Sequence, residues 1–332
     1  MPRSNTRKTI VIQKPASAGG IELGSENRPD RSIAVVGSIN TDLVLQLPRL
    51  PLPGETVLTE SALQIFGGGK GANQAIAAAR LGVPVSMIGA VGADQFGGDR
   101  VSQLAGEGID VENVARVADR SSGVALITID EEGQNCIALA AGANQSVTPR
   151  HTACAAVENA SLVMAVVEIP TPPIAAAFAT ARRAGAITLL NAAPPGRLSR
   201  EVLSLADYLV VNETEAGALV GEPAPDHRQA PQLADRLAEL CGRAAVITLG
   251  SGGLCASDGA DRIRLPAYAT TVVDTTAAGD AFCGALAVGL LERMGFALAL
   301  RFASAAGAAA CRQLGASSSL PDRTTVNQIL DS

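Results

Sequence analysis

One unit recurs along this chain from Arg31 onward and limits its fold more than any other feature: a short, unbroken apolar run followed by an alanine-rich stretch of helical composition. The runs are SIAVVGS, VSMIGAVG, SLVMAVVE, AITLLNAA, ADYLVVNE and AAVITLGS. Each is too short for a buried helix and lacks the polar alternation of a half-exposed strand, so each reads as a strand covered on both faces. KGANQAIAAARLG, PPIAAAFATARRAG and ETEAGALVG supply helices between them. Repeated βα units of this kind predict an α/β fold with a mainly parallel sheet between two helical layers. Two segments break the pattern, TDLVLQLPRLPLPGETVLTE and SGVALITIDEEGQNCIALAAG, whose alternating character predicts a small β-sheet lid at roughly residues 41–66 and 115–140. No interdomain linker is evident, so residues 31–332 are expected to form one domain. Residues 1–30 carry four basic and no acidic residues before Gly20, are rich in Pro, Gly and Ser, and lack the apolar core of a secretory signal. They are expected to form a flexible tail.

Composition narrows the function. A net charge of -6 argues against a nucleic-acid partner, which needs a basic face, and with 2% aromatic residues and no Trp there is little to stack on bases. The six cysteines are scattered without the spacing of a zinc site, which points to inert thiols in a reducing cytoplasm. No apolar run reaches transmembrane length, so no membrane partner is expected.

In open parallel sheets, ligands sit beyond the carboxyl ends of the strands. Asn40, Asp42, Glu168, Asn191, Asn212, Glu215 and Gly250–Gly253 fall at those ends. FGGGKGANQ is not a phosphate loop, because Gln64 stands where its first glycine would be and Gly71 follows Lys70. GSGG at 250–253 fails the dinucleotide fingerprint at Cys255, and with only His151 and His227 in the chain a serine hydrolase has no obvious base. Lys70 is the only lysine after residue 14, which marks it for a specific task. Asp280, at the start of the apolar helix AFCGALAVGLL, is either a first-turn acid that stabilises the helix by about 0.3–1 kcal/mol or a reacting group.

GSINTD (37–42), PGET (53–56), GGKGANQA (68–75), AGAN (141–144), NETEA (212–216), ITLGSGG (247–253) and DTTAAGDAFCGAL (274–286) together resemble the ribokinase family of carbohydrate kinases. The order and spacing match over Arg31 to Leu330. The resemblance implies a ribokinase-like three-layer sandwich that phosphorylates D-ribose at its 5-hydroxyl with ATP. It implies that Asp280 is the catalytic base beside an anion hole formed by the N–H groups of Ala277, Ala278 and Gly279, and that Asn40, Asp42, Gly68, Gly69, Lys70, Asn73, Glu168 and Asp280 itself bind the sugar. It implies that ATP lies along Asn212, Thr248, Gly250, Ser251, Gly253, Gly279 and Ser304, with Mg²⁺ served by Asn212 and Glu215. A capping box is the alternative duty for that last pair. It further implies an activating K⁺ enclosed by Asp274, Thr276, Ala310, Gln313, Gly315 and Ser319, and a homodimer joined through the lids. Gly67 departs from the family, where a bulkier apolar residue is frequent. The alternatives are a sister kinase for another sugar or a nucleoside, and a non-catalytic sugar-binding protein on the same scaffold.

Overall fold

The computed structural model describes residues 9–11, 31–196 and 198–332. Its large sheet has ten strands, in the order Thr9–Val11, Arg262–Leu265, Leu254–Ser257, Ala244–Thr248, Tyr208–Asn212, Ile187–Asn191, Leu162–Val166, Ile33–Val36, Val85–Gly92, Val114–Val117. All neighbours are parallel except the two pairs made by Leu254–Ser257. The six apolar runs of the sequence all stand as strands here, because alternate residues of each bury against opposite helical layers. Val35, Met164, Leu189, Val210 and Val246 pack with the Lys70–Arg80, Ala278–Leu291 and Phe296–Ala310 helices. Ala34, Val36, Ala165, Leu190, Leu209 and Ile247 face the layer that holds the Thr171–Arg183 and Ala230–Ala238 helices.

The lid is a separate four-stranded sheet in the order Gln64–Gly68, Asn40–Gln46, Gly123–Ile129, Asn135–Ala140. Two expectations need correction. The second lid segment begins at 123, not near 115: Val114–Val117 pairs parallel with Val85–Gly92 in the large sheet. It follows the Gln95–Gly106 helix, and a strand–helix–strand unit returns its second strand beside the first. Residues 47–63 form no ladder, since Pro48, Pro51 and Pro53 have no N–H to donate. Of the thirty residues expected as a tail, Thr9–Val11 run parallel to Arg262–Leu265 at the sheet edge. The rest of that segment lies outside the described residues. No helix among the described residues is long and apolar enough to cross a membrane.

One helix contact decides where the site forms. A Cβ at Gly284 would lie 2.6 Å from the Ala77 Cβ and 3.0 Å from the Gln74 carbonyl oxygen, so only glycine lets the Ala278–Leu291 helix approach the Lys70–Arg80 helix this closely. The start of one helix is thereby held against the start of the other.

Candidate active site

Asp280 stands in the first turn of its helix and is 7% exposed. Asn73 Nδ2 donates to its Oδ2 at 2.9 Å and Gln74 Nε2 donates to its Oδ1 at 3.0 Å, so both carboxylate oxygens are aimed by the neighbouring helix. Gln74 Nε2 also donates to Asn191 Oδ1 at 3.0 Å, and Asn191 Nδ2 donates to the Val210 carbonyl at 3.1 Å. The chain of bonds fixes the acid to the sheet. Burial pushes the Asp280 carboxyl above its ordinary value, against the opposing pull of Lys70, Asn73 and Gln74. A buried acid that also serves as a first-turn residue has far more partners than helix stabilisation requires.

The helix begins unusually. Ala277, its N-cap, has φ 59°, the left-handed region that costs a residue with a side chain of order 1 kcal/mol. The N–H of Ala278 turns back to the Thr275 carbonyl at 3.2 Å, whereas no such bond holds those of Ala277 and Gly279. Of the three N–H groups expected in the anion hole, two are therefore uncommitted beside Asp280. A helix N-terminus with exposed small residues is a ready anion site.

Lys70 opens the facing helix, and three acids surround it. Its Nζ lies 3.4 Å from Glu168 Oε1, while its backbone N–H donates to Glu168 Oε2 at 3.1 Å. Burial draws the Lys70 ammonium down, but Asp280, Glu168 and Glu215 outweigh it and hold its pKa above the ordinary value. Ser38 Oγ donates to Glu168 Oε2 at 2.5 Å, which accounts for an acid placed directly after a buried strand. Asp42 is 9% exposed, and burial, with Glu168 and Asp280 nearby, raises its carboxyl from 3.8 to about 6 despite Lys70 and Arg100. Its oxygens occupy the space a Cβ would take at Gly68, 2.2 Å away. Gly69 follows with φ 89°, a conformation open to glycine at little cost. Asn40 Oδ1 accepts from Asn144 Nδ2 at 2.7 Å, and Asn144 Oδ1 in turn accepts from the Ile39 N–H at 2.9 Å.

The structure thus gathers Asn40, Asp42, Gly68, Gly69, Lys70, Asn73, Glu168, Asp280 and the Ala277–Gly279 turn. It also adds Ser38, Gln74 and Asn144, which the sequence shows only as members of its motifs. The residues expected to meet ATP are arranged differently. Asn212 and Glu215 form a full capping box: Asn212 Oδ1 accepts from the Glu215 N–H and Glu215 Oε2 from the Asn212 N–H, both at 2.8 Å. Glu215 Oε1 lies outside this exchange, and burial raises the carboxyl above its ordinary value. Among the described residues no group of three His, Cys, Asp or Glu could hold a metal by itself. A buried Glu with one oxygen to spare suits a Mg²⁺ that keeps most of its waters and arrives with phosphates. Gly250–Gly252 form a single turn after the Ala244–Thr248 strand, with Ser251 exposed and Gly253 closing the turn through its N–H to the Gly250 carbonyl at 3.1 Å. Thr248 Oγ1 donates to the Val211 carbonyl at 3.3 Å, and Ser304 lies half-buried on the Phe296–Ala310 helix.

The loops expected to enclose a cation lie side by side. Asp274 Oδ2 accepts from the Gly315 N–H at 2.8 Å and its Oδ1 from the Thr276 N–H at 2.9 Å, while Val273 N–H donates to the Cys311 carbonyl at 2.8 Å. Ala310 accepts from the Gln313 N–H at 3.3 Å, and Ser319 Oγ donates to the Ala316 carbonyl at 2.9 Å. The carbonyls of Asp274, Thr276, Gln313 and Gly315 have no bond among these, and an oxygen-only set of this kind suits a hard monovalent cation.

The site sets a buried, oriented acid beside a strained helix start and a polar cluster, and the model of the pfkB family of carbohydrate kinases matches residues 30–323. The chain belongs to that family. The ribokinase of Haemophilus influenzae is 38% identical over 305 residues, covering 91% of this chain and 99% of that protein. The structure of Arabidopsis thaliana ribokinase complexed with ribose and ATP superimposes with a TM-score of 0.83 at 31% identity, over 91% of this chain and 98% of the other. The bifunctional ribokinase/ribose-5-phosphate isomerase A of Fructilactobacillus sanfranciscensis is 37% identical over 304 residues, and this chain spans 56% of its length. In this chain Lys70 reaches Glu168, just past the Leu162–Val166 strand, and Gln74 reaches Asn191, the last residue of the Ile187–Asn191 strand, so the cluster stands at the carboxyl edge of the sheet.

Proposed function

We propose that this enzyme transfers the γ-phosphoryl group of ATP to the 5-hydroxyl of D-ribose, giving ribose 5-phosphate and ADP. The observation that carries the reading is Asp280 held at both oxygens by Asn73 and Gln74 beside the uncommitted N–H groups of Ala277 and Gly279. Asp280 takes the hydroxyl proton as the oxygen attacks, and burial makes it a stronger base than an exposed carboxylate. The N–H groups meet charge spreading over the transferred oxygens, at a helix start already polarised for an anion. Asp42 and Asn40 accept from and donate to the sugar's vicinal hydroxyls, while Lys70 and Glu168 hold the floor of the site.

Asn212 and Glu215 would serve the Mg²⁺ that arrives with the nucleotide, and that ion would supply charge neutralisation at the phosphates. A K⁺ between the Asp274–Thr276 and Ala310–Ser319 loops would be held by the carbonyls of Asp274, Thr276, Ala310, Gln313 and Gly315 with the Ser319 hydroxyl, and would supply a counter-charge for them. An exposed apolar face on the lid supports a homodimer joined through the lids. The register puts Ile65 and Leu126 on the face opposite Asp42, and they are 53% and 54% exposed. We place the enzyme in the cytoplasm on the strength of its six unpaired cysteines.

The test is ADP release coupled to a reporter across ribose, deoxyribose, fructose and adenosine, with ³¹P NMR locating the phosphate. The expected result is ribose turnover well above the others and a phosphate at C5. Preference for adenosine would assign the fold to a nucleoside kinase, and no turnover of any would make the chain a sugar binder.

A further inference from the structure

We infer that His227 is a nucleotide-contacting residue, its imidazole forming one wall of the ATP site against the Gly250–Gly253 turn. The observation is a seat made for the ring. A Cβ at Gly252 would lie 2.1 Å from His227 Cε1, 2.7 Å from Nδ1 and 3.1 Å from Nε2, so the imidazole occupies the space that any other residue at 252 would fill. The histidine is held there from its own side. Asp226 Oδ1 accepts from the N–H groups of Arg228 and Gln229, both at 2.8 Å, and Gln229 Oε1 accepts from the Asp226 N–H at 3.1 Å, so His227 opens a turn tied at both ends. Its position is not that of a loose surface side chain.

The residue nevertheless stays exposed, and neither ring nitrogen has a hydrogen bond among the described residues. The turn beneath it presents further uncommitted donors: Gly252 and Gly253 N–H groups close the turn internally, whereas those of Gly250 and Ser251 enter no such bond. This turn ends the Ala244–Thr248 strand, which pairs in parallel with the strand ending at Asn212. A ring with one donor and one acceptor, laid over a turn with free N–H groups at the ligand edge of a parallel sheet, is suited to the polar ribose and phosphate part of a nucleotide. The inference rests on the reading that ATP lies along this turn, and it names a contact that the sequence motifs do not contain.

The test is a double-mutant cycle on ATP and ADP binding by calorimetry, together with KM and kcat for ATP and for ribose. His227→Ala is expected to weaken both nucleotides by about three- to tenfold, the range of one hydrogen bond. Ribose affinity is expected to stay within about twofold, because the change lies on the far side of the transferred phosphate. Gly252→Ala should weaken ATP to a similar degree by pushing the ring out, and should add no further loss in the His227→Ala background. Losses that simply add, or wild-type nucleotide affinity in His227→Ala, would overturn the inference. Ser251→Trp separates the two readings. If it abolishes ATP binding while His227→Ala is silent, the nucleotide lies on the turn and His227 plays no part. If neither changes ATP binding, the placement of the nucleotide itself fails.

Discussion

Asp42 combines two demands that conflict. In the proposed reaction its carboxyl accepts from sugar hydroxyls, yet it is buried near Glu168 and Asp280, and its pKa rises to about 6. A carboxyl with a raised folded-state pKa favours the protonated native state. Stability therefore falls as pH rises from about 4 through 6, and the cost is fully present above that window. Asp42→Asn removes the buried charge, so the sugar-free variant should melt higher than wild type at pH 8, by up to about 3 kcal/mol, with the gap closing towards pH 4. The same change should weaken ribose binding. Wild-type ribose affinity should also fall as pH drops through 6, because the acceptor becomes a hydroxyl. Thermal melts and calorimetry from pH 4 to 8 check both, and a variant that melts lower than wild type at pH 8 would contradict the burial argument. At this scale the motifs contain the proposed reacting groups but do not show which side chains orient them. Ser38, Gln74 and Asn144 act on partners 130, 206 and 104 positions away, a relation that no local pattern in one sequence carries.

Among elements, the approach of the Ala278–Leu291 and Lys70–Arg80 helices is what presents Asp280 to Asn73 and Gln74. Gly284→Leu should separate them, with a loss of about 1–3 kcal/mol typical of overpacking and a fall in kcat larger than any change in KM for ribose. An unchanged kcat would show that the helix spacing does not set the geometry of the base. The loop that carries the proposed anion hole is held by a second set of contacts, the Thr276 and Gly315 N–H groups donating to Asp274. Potassium between these loops should raise kcat more than it changes ribose affinity, with sodium a poor substitute. Initial rates in potassium-free buffer, then with KCl or NaCl at matched ionic strength, decide this, and equal rates in all three would remove the cation from the account. The central strands were legible because continuous apolar runs bury on both faces. Val114–Val117 was not, since its half-buried residues and hairpin-like surroundings resemble lid strands, and only its pairing partner assigns it to the large sheet.

For the whole molecule, the βα repeat and the motif order determine the layered fold and the edge at which the site forms, whereas assembly depends on a surface whose pattern is ambiguous. The lid bears exposed apolar residues on both faces: Ile65 and Leu126 on one, Ile137 and Leu139 on the face shared with Asp42. If lids pair through the first face, Leu126→Glu should convert a dimer to a monomer in light scattering and weaken ribose binding through a less ordered lid. A wild-type chain that is monomeric at micromolar concentration would contradict the dimer.

The central claim is that Asp280 acts as the base that takes the proton of the 5-hydroxyl beside the anion hole. Asp280→Asn keeps the shape of the side chain and removes its basicity. Single-turnover rates with ATP and ribose, measured alongside ribose binding by calorimetry, test the claim most directly. The account predicts a turnover lower by about 100-fold or more with ribose affinity nearly intact. Wild-type turnover in this variant would contradict it.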